Sequence, residues 1–145
     1  MKIYSTSIAD LFIVKGESVE DKRGAFSRLY CDDELSEITG GRRIVQINIS
    51  CTNNVGVVRG LHYQYAPHAE MKIVRCLKGR VWDVAVDLRH GSKSYLHWHA
   101  EELTPANKRM MIIPEGFAHG FQALEPESHL LYLHTAFYTP TSESG

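Results

Sequence analysis

The sequence predicts an all-β fold, a sandwich or jelly roll, and three observations predict it. Apolar residues recur with a period of two over most of the chain. The alternating runs are short and closely spaced, with Gly, Pro and Asn between them. Only Asp32 to Thr39 reads as a helix, and it is short. After that helix, Val45, Ile47 and Ile49 of the run 44–50 face one way while Gln46, Asn48 and Ser50 face the other. A strand follows at 57–64. Residues 71–77 and 80–88 flank Lys78-Gly79 and read as a tight hairpin. Further strands are expected at 95–102, 109–113, 119–124 and 129–138.

With 145 residues and no repeat, linker or low-complexity tract, the chain is read as one domain, 1–145. Its 43% hydrophobic and 23% charged content is ordinary for a globular protein. A net charge of −1 gives no chain-wide attraction to nucleic acid or to an anionic membrane, so any anion site is local. No apolar run approaches membrane-span length, and the start, Met1-Lys2-Ile3-Tyr4-Ser5-Thr6, does not read as a signal peptide. Cys31, Cys51 and Cys76 are odd in number and lack a CxxC spacing, which suits free thiols and the cytoplasm.

Chemistry concentrates in three places. Val58-Arg59-Gly60-Leu61-His62-Tyr63-Gln64 carries a guanidinium and an imidazole, Lys72 opens the next strand, and Pro114-Glu115-Gly116-Phe117-Ala118-His119-Gly120-Phe121 adds a second imidazole. Together these can take a proton from carbon beside a carbonyl while holding an anionic substrate. Arg59 and His62 are three apart, and strict alternation would separate them. Gly60 permits a bulge that turns both inward. A lone His in a strand is usually structural. His62 rises above that because Arg59, Lys72 and His119 are its expected neighbours, and imidazole titrates near neutrality.

If Lys78-Gly79 is a two-residue turn, Val74 faces Asp83 and Lys72 faces Ala85. Lys72 and Asp83 are then diagonal neighbours on one face, with Trp82 and Val84 packed on the other. This pairing reads either as an ion pair inside the barrel or as a Lys held to stabilise negative charge developing on oxygen. In the last strand Tyr132, His134, Ala136 and Tyr138 share a face, with Leu131, Leu133, Thr135 and Phe137 opposite. On their own both tyrosines read as amphipathic packing; beside the other motifs, a Tyr132 facing His62 across a cavity would serve as the opposing acid, and Tyr138 would stack on a flat ring. His97-Trp98-His99 offers an HxH pair with no Glu at a useful spacing, and Gln64 rather than His stands two after His62. His97 and His99 are therefore read as surface or interface residues, and no metal is expected.

These runs carry a resemblance. Val57 to Gln64, Lys72-Ile73-Val74-Arg75, Val81 to Arg89, Ile113 to Phe121 and Leu131-Tyr132 closely resemble the dTDP-4-dehydrorhamnose 3,5-epimerase family, as do Asp21 to Phe26 and Gln46-Ile47-Asn48. The resemblance covers nearly the whole chain. It implies a metal-free cupin, a jelly-roll barrel forming homodimers through exchanged amino-terminal strands, with no cofactor. The implied substrate is a nucleotide diphosphate 4-keto-6-deoxyhexose. By the same resemblance His62 is the base, Lys72 steadies the enolate oxygen and Tyr132 returns a proton from the opposite face. Arg59 and Arg23 hold the diphosphate, Arg23 from the partner subunit. His119, Gln46 and Asn48 contact sugar or phosphate, while Phe26 and Tyr138 bracket the base.

Three features depart from the family pattern. Its members usually continue past the position of Gly145 into a segment whose Asp pairs with the catalytic His, and Asp83 is the expected substitute here. Arg28 stands where the family often has a Glu that meets the base; a guanidinium only donates, so a nucleotide other than thymidine is open. Leu133 stands where a Lys often follows the Tyr. Ranked below an epimerase are a 3,4-ketoisomerase of related fold, whose second strand His is Gln64 here, and a non-catalytic sugar-nucleotide binder. A metal-dependent oxygenase ranks last.

Overall fold

The computed structural model describes residues 1–145. Two antiparallel sheets face each other as a jelly-roll sandwich of the cupin type. One has six strands in the order β1 (Lys2–Ser5), β2 (Phe12–Lys15), β10 (Arg109–Ile113), β7 (Lys72–Lys78), β12 (Ser128–His134), β5 (Gln46–Thr52). The other has five, in the order β13 (Glu143–Ser144), β6 (Val58–Gln64), β11 (Phe117–Ala123), β8 (Val81–Asp87), β9 (Trp98–Leu103). A separate hairpin, β3 (Ser18–Asp21) with β4 (Gly24–Ser27), joins neither sheet.

The burial pattern follows from which faces are covered. In the six-stranded sheet the central strands β10 and β7 are buried on both sides, so they read as near-continuous apolar runs rather than alternations. Met111 and Ile113 of β10 meet Val74, Val81, Phe117 and Leu130 between the sheets. Met110 and Ile112 point outward under α1 (Asp32–Thr39), with Ile73, Leu133 and the fully buried Leu35. Asp32, Asp33 and Glu34 place negative charge at the positive end of the helix, and Gly40 ends it in the left-handed conformation. The five-stranded sheet keeps one face open. In β8, Val81, Asp83, Ala85 and Asp87 are buried, whereas Trp82 on the outer face is 42% exposed.

The expected strands all form, with ends moved by up to four residues, and α1 covers the expected span. Two expectations fail. The runs around Lys78-Gly79 are not a hairpin: β7 pairs with β10 and β12, and β8 with β9 and β11, in opposite sheets. Gly79 turns the chain across the sandwich at φ +75°, where a Cβ would sit 2.4 Å from Ser128 Oγ. Lys72 and Asp83 are therefore not cross-strand neighbours, and Trp82 does not pack on a covered face. The four amino-terminal strands carry no expectation from sequence, because runs of four residues are too short to show a period.

Candidate active site

A cavity of about 610 Å³ opens between the sheets at the end where β5, β6, β7, β11 and β12 meet. From the five-stranded sheet come Arg59 and His62 of β6 and His119 of β11; from the six-stranded sheet come Asn48 and Ser50 of β5, Lys72 of β7, and Tyr132 and His134 of β12. Glu70 and Tyr138 complete the polar lining with Glu143. His62 and Tyr132 thus stand on opposite walls.

The bulge expected at Gly60 is present. His62 pairs with His119 and Arg59 with Phe121, so Gly60 and Leu61 together oppose Gly120 alone. Gly60 sits at φ +112°, and a Cβ there would lie 2.6 Å from Gly120 Cα and 2.7 Å from His119 O. Only glycine fits, and the extra residue is what turns Arg59 and His62 to the same side. Arg59 Nε donates to Thr52 Oγ1 at 3.1 Å, bracing the guanidinium at the cavity mouth.

Tyr132 meets the cavity edge-on to His119, ring centroids 6.1 Å apart, and its hydroxyl lies 3.2 Å from Ser50 Oγ. Burial pushes the phenol up to about 12, against the Ser50 hydrogen bond and the positive charge of Arg59. A phenol so placed keeps its proton at neutral pH. Lys72 is 9% exposed, and its Nζ is 3.0 Å from Glu70 Oε1. The other oxygen of Glu70 is 2.7 Å from His134 Nδ1. Burial pushes the Glu70 carboxyl up, but His134 and Lys72 outweigh it and hold it below the usual range.

Asp83 does not orient His62. It is fully buried on β8, and its Oδ1 is 2.8 Å from Nε2 of His119, itself 5% exposed. The reason is topological: Asp83 and His119 face inward from adjacent strands of one sheet, where Phe121 pairs with Asp83. Gln46 is also displaced from the expected role. It does not line the cavity, and its Oε1 accepts from the Tyr138 amide at 3.1 Å, tethering that tyrosine beside the mouth. His99 has a carboxylate that the sequence reading missed: Glu101, two residues on, lies 3.5 Å from its Nε2. No group of three or more His, Cys, Asp and Glu side chains is placed to hold a metal ion.

The family model described as dTDP-4-dehydrorhamnose 3,5-epimerase matches residues 5–145. The chain belongs to the dTDP-4-dehydrorhamnose 3,5-epimerase family. It is 40% identical over 146 residues to the dTDP-4-dehydrorhamnose 3,5-epimerase of Shigella flexneri, covering all of this chain and 80% of that protein. The crystal structure of the enzyme of the same name from Elizabethkingia anophelis NUHP1 superposes with a TM-score of 0.93 at 42% identity, over 100% of this chain and 79% of that one. A dTDP-6-deoxy-D-glucose-3,5-epimerase from Legionella pneumophila, solved in complex with dTDP-4-keto-L-rhamnose, superposes at 0.93 and 40% identity, over 98% of this chain and 75% of that one.

Within one protomer of this epimerase-family chain, Arg23, Phe26 and Arg28 do not reach the cavity. Arg23 and Phe26 ride on the β3–β4 hairpin, Phe26 79% exposed, and Arg23 bonds Asp21. Arg28 pairs with Glu34, which also binds the amino-terminal amine. The sequence reading assigned no role to Glu70, His134 or Ser50. His134 and Ser50 were visible as the cavity-facing members of alternating strands. Glu70 precedes its strand and gave no periodic signal.

Proposed function

We propose that this protein inverts C3, C5 or both in a nucleotide diphosphate-linked 4-keto-6-deoxy sugar, as an isomerase of deoxysugar biosynthesis. One observation carries the reading: His62 and Tyr132 open onto the same cavity from opposite sheets, with Lys72 on the tyrosine's sheet. A C–H beside a ketone is acidic only because its anion spreads onto oxygen. His62 takes that proton on one face. Lys72 Nζ meets the enolate oxygen as charge builds there, and Tyr132 delivers a proton to the other face, which inverts the centre. Tyr132 holds its proton at neutral pH, as a proton donor must. Arg59 suits the diphosphate through paired N–H donors, and His119 and Asn48 suit the sugar. No metal or other cofactor enters this scheme.

The site is completed in a homodimer. The β3–β4 hairpin has no sheet partner within its own chain, and β5 is an edge strand whose outward Ile47 and Ile49 are 61% and 55% exposed. An exposed edge with an apolar face calls for a covering strand. The hairpin of a second copy laid along β5 brings Arg23, Phe26 and Arg28 to the cavity mouth beside Tyr138, where a nucleotide would lie. Three free cysteines suit a cytoplasmic location, and no helix is long and apolar enough to cross a membrane.

The test is solvent-deuterium exchange into a panel of nucleotide-linked 4-keto-6-deoxy sugars. Exchange at C3 or C5 with an inverted product is expected, falling by about 10²–10⁴-fold in His62→Ala. A ketone moved to C3, or exchange that survives His62→Ala unchanged, defeats the proposal.

A further inference from the structure

Lys72 and His134 are paired residues on neighbouring strands, both turned into the cavity, and one carboxylate lies between them. Glu70 Oε1 is 3.0 Å from Lys72 Nζ, and Glu70 Oε2 is 2.7 Å from His134 Nδ1. The carboxylate side chain is 8% exposed, the lysine 11% and the imidazole 12%. An ionised carboxylate only accepts, so Nδ1 of His134 carries the hydrogen of that bond. The other ring nitrogen, Nε2, lies 3.4 Å from Asn48 Nδ2, and the ring stacks on Tyr132 at 6.0 Å and 17°. The imidazole is thus fixed on three sides.

A buried carboxylate beside the ammonium that must meet an enolate oxygen works against that ammonium. It supplies the negative charge the reaction is meant to supply, and it competes for the same N–H donors. We propose that His134 is a positioning residue for the reaction: by holding one oxygen of Glu70 it limits the carboxylate's grip on Lys72, and it leaves the ammonium free to bind the developing oxyanion. Lys72 has three donors, and the bond to Glu70 uses one. Shared between two donors, Glu70 locates Lys72 without neutralising it. The proposal rests on the epimerase reading above, in which Lys72 steadies the enolate.

Such a role predicts a particular dependence between the two residues. His134→Ala releases Glu70 onto Lys72 and lowers kcat by about ten-fold, while KM stays within about two-fold, since the lost interaction is made in the transition state. His134→Asn keeps an N–H that can reach Glu70 and retains most of the rate. The double variant Glu70→Gln/His134→Ala removes the competing charge and regains most of what His134→Ala loses. A residue that merely supports the wall gives the opposite pattern, a double variant at least as slow as His134→Ala. That result overturns the proposal, as does an unchanged kcat in His134→Ala.

Nitrogen-15 spectra of the free protein give a second readout. His134 is the Nδ1–H tautomer in the wild type, and an Nε2–H tautomer there overturns the arrangement. A wild-type protein that turns over no 4-keto nucleotide sugar defeats the epimerase reading and this inference together. An active wild type with an indifferent His134→Ala defeats only the inference.

Discussion

Tyr132 differs from an ordinary surface tyrosine in the forces on its hydroxyl. Burial raises it from 10 to about 12, and Ser50 and Arg59 offset only part of that. The folded value lies above the unfolded one, so the unfolded chain gives up this proton first. The stability tied to it is whole below pH 10 and declines as pH rises from 10 towards 12. An ultraviolet tyrosinate titration should therefore contain two components near 12, from Tyr132 and the part-buried Tyr30, of which Tyr132→Phe removes one. The same variant should still wash deuterium into substrate while forming inverted product about 10²–10⁴-fold more slowly. Loss of exchange and of inversion in equal measure would contradict the assigned roles. At this scale the sequence was legible where residue type and strand phase agree: His62, Lys72, Tyr132, Arg59, His119 and Asn48 all reach the cavity. It was not legible for Asp83. Its partner depends on which strands lie side by side, and alternation in one strand is silent about its neighbour. The diagonal between β8 and β11 gives Asp83 to His119.

The elements divide in the same way. Alternation located β5 to β12, and the glycine in β6 announced its bulge. Gly60→Ala tests how much depends on that bulge. The added Cβ meets two backbone atoms at 2.6 and 2.7 Å, and neither can move without shifting β11. The variant should lose at least about 2 kcal/mol in denaturant unfolding. Its folded fraction should be slower as well, because Arg59 and His62 no longer turn to one side together. α1 gives the contrasting case. Leu35→Ala empties a fully buried position against Met110, Ile112 and Leu133. It should cost about 2–5 kcal/mol while kcat of the folded protein holds, since nothing in that cluster touches the cavity. Alternation misjudged the link between β7 and β8. A Lys-Gly turn between two alternating strands fits a hairpin and a crossing between sheets equally well. What decides is packing of the turn on Ser128, a residue 49 positions beyond Gly79 in the chain.

For the molecule as a whole, the two open surfaces differ in what they imply. The outer face of the five-stranded sheet, with Trp82 and Trp98, carries no side chain assigned to the site. The β5 edge borders the cavity directly, through Asn48 and Ser50. In the proposed dimer each site takes His62 and Lys72 from one protomer and Arg23 and Phe26 from the other. Two defective proteins then complement. Arg23→Ala and His62→Ala are each expected to be poorly active as homodimers. Mixed under conditions that allow subunit exchange, a heterodimer holds one site with both defects and one with neither. With random pairing at equal amounts, half the dimers are mixed and each has one working site, so activity returns to about a quarter of wild type. If the hairpin folds back to serve its own protomer, every site in the mixture carries one defect and no activity returns. The readout is a rate, and it separates an arm that acts across the interface from one that merely widens it. A single protomer leaves Arg23 on a hairpin that neither sheet holds.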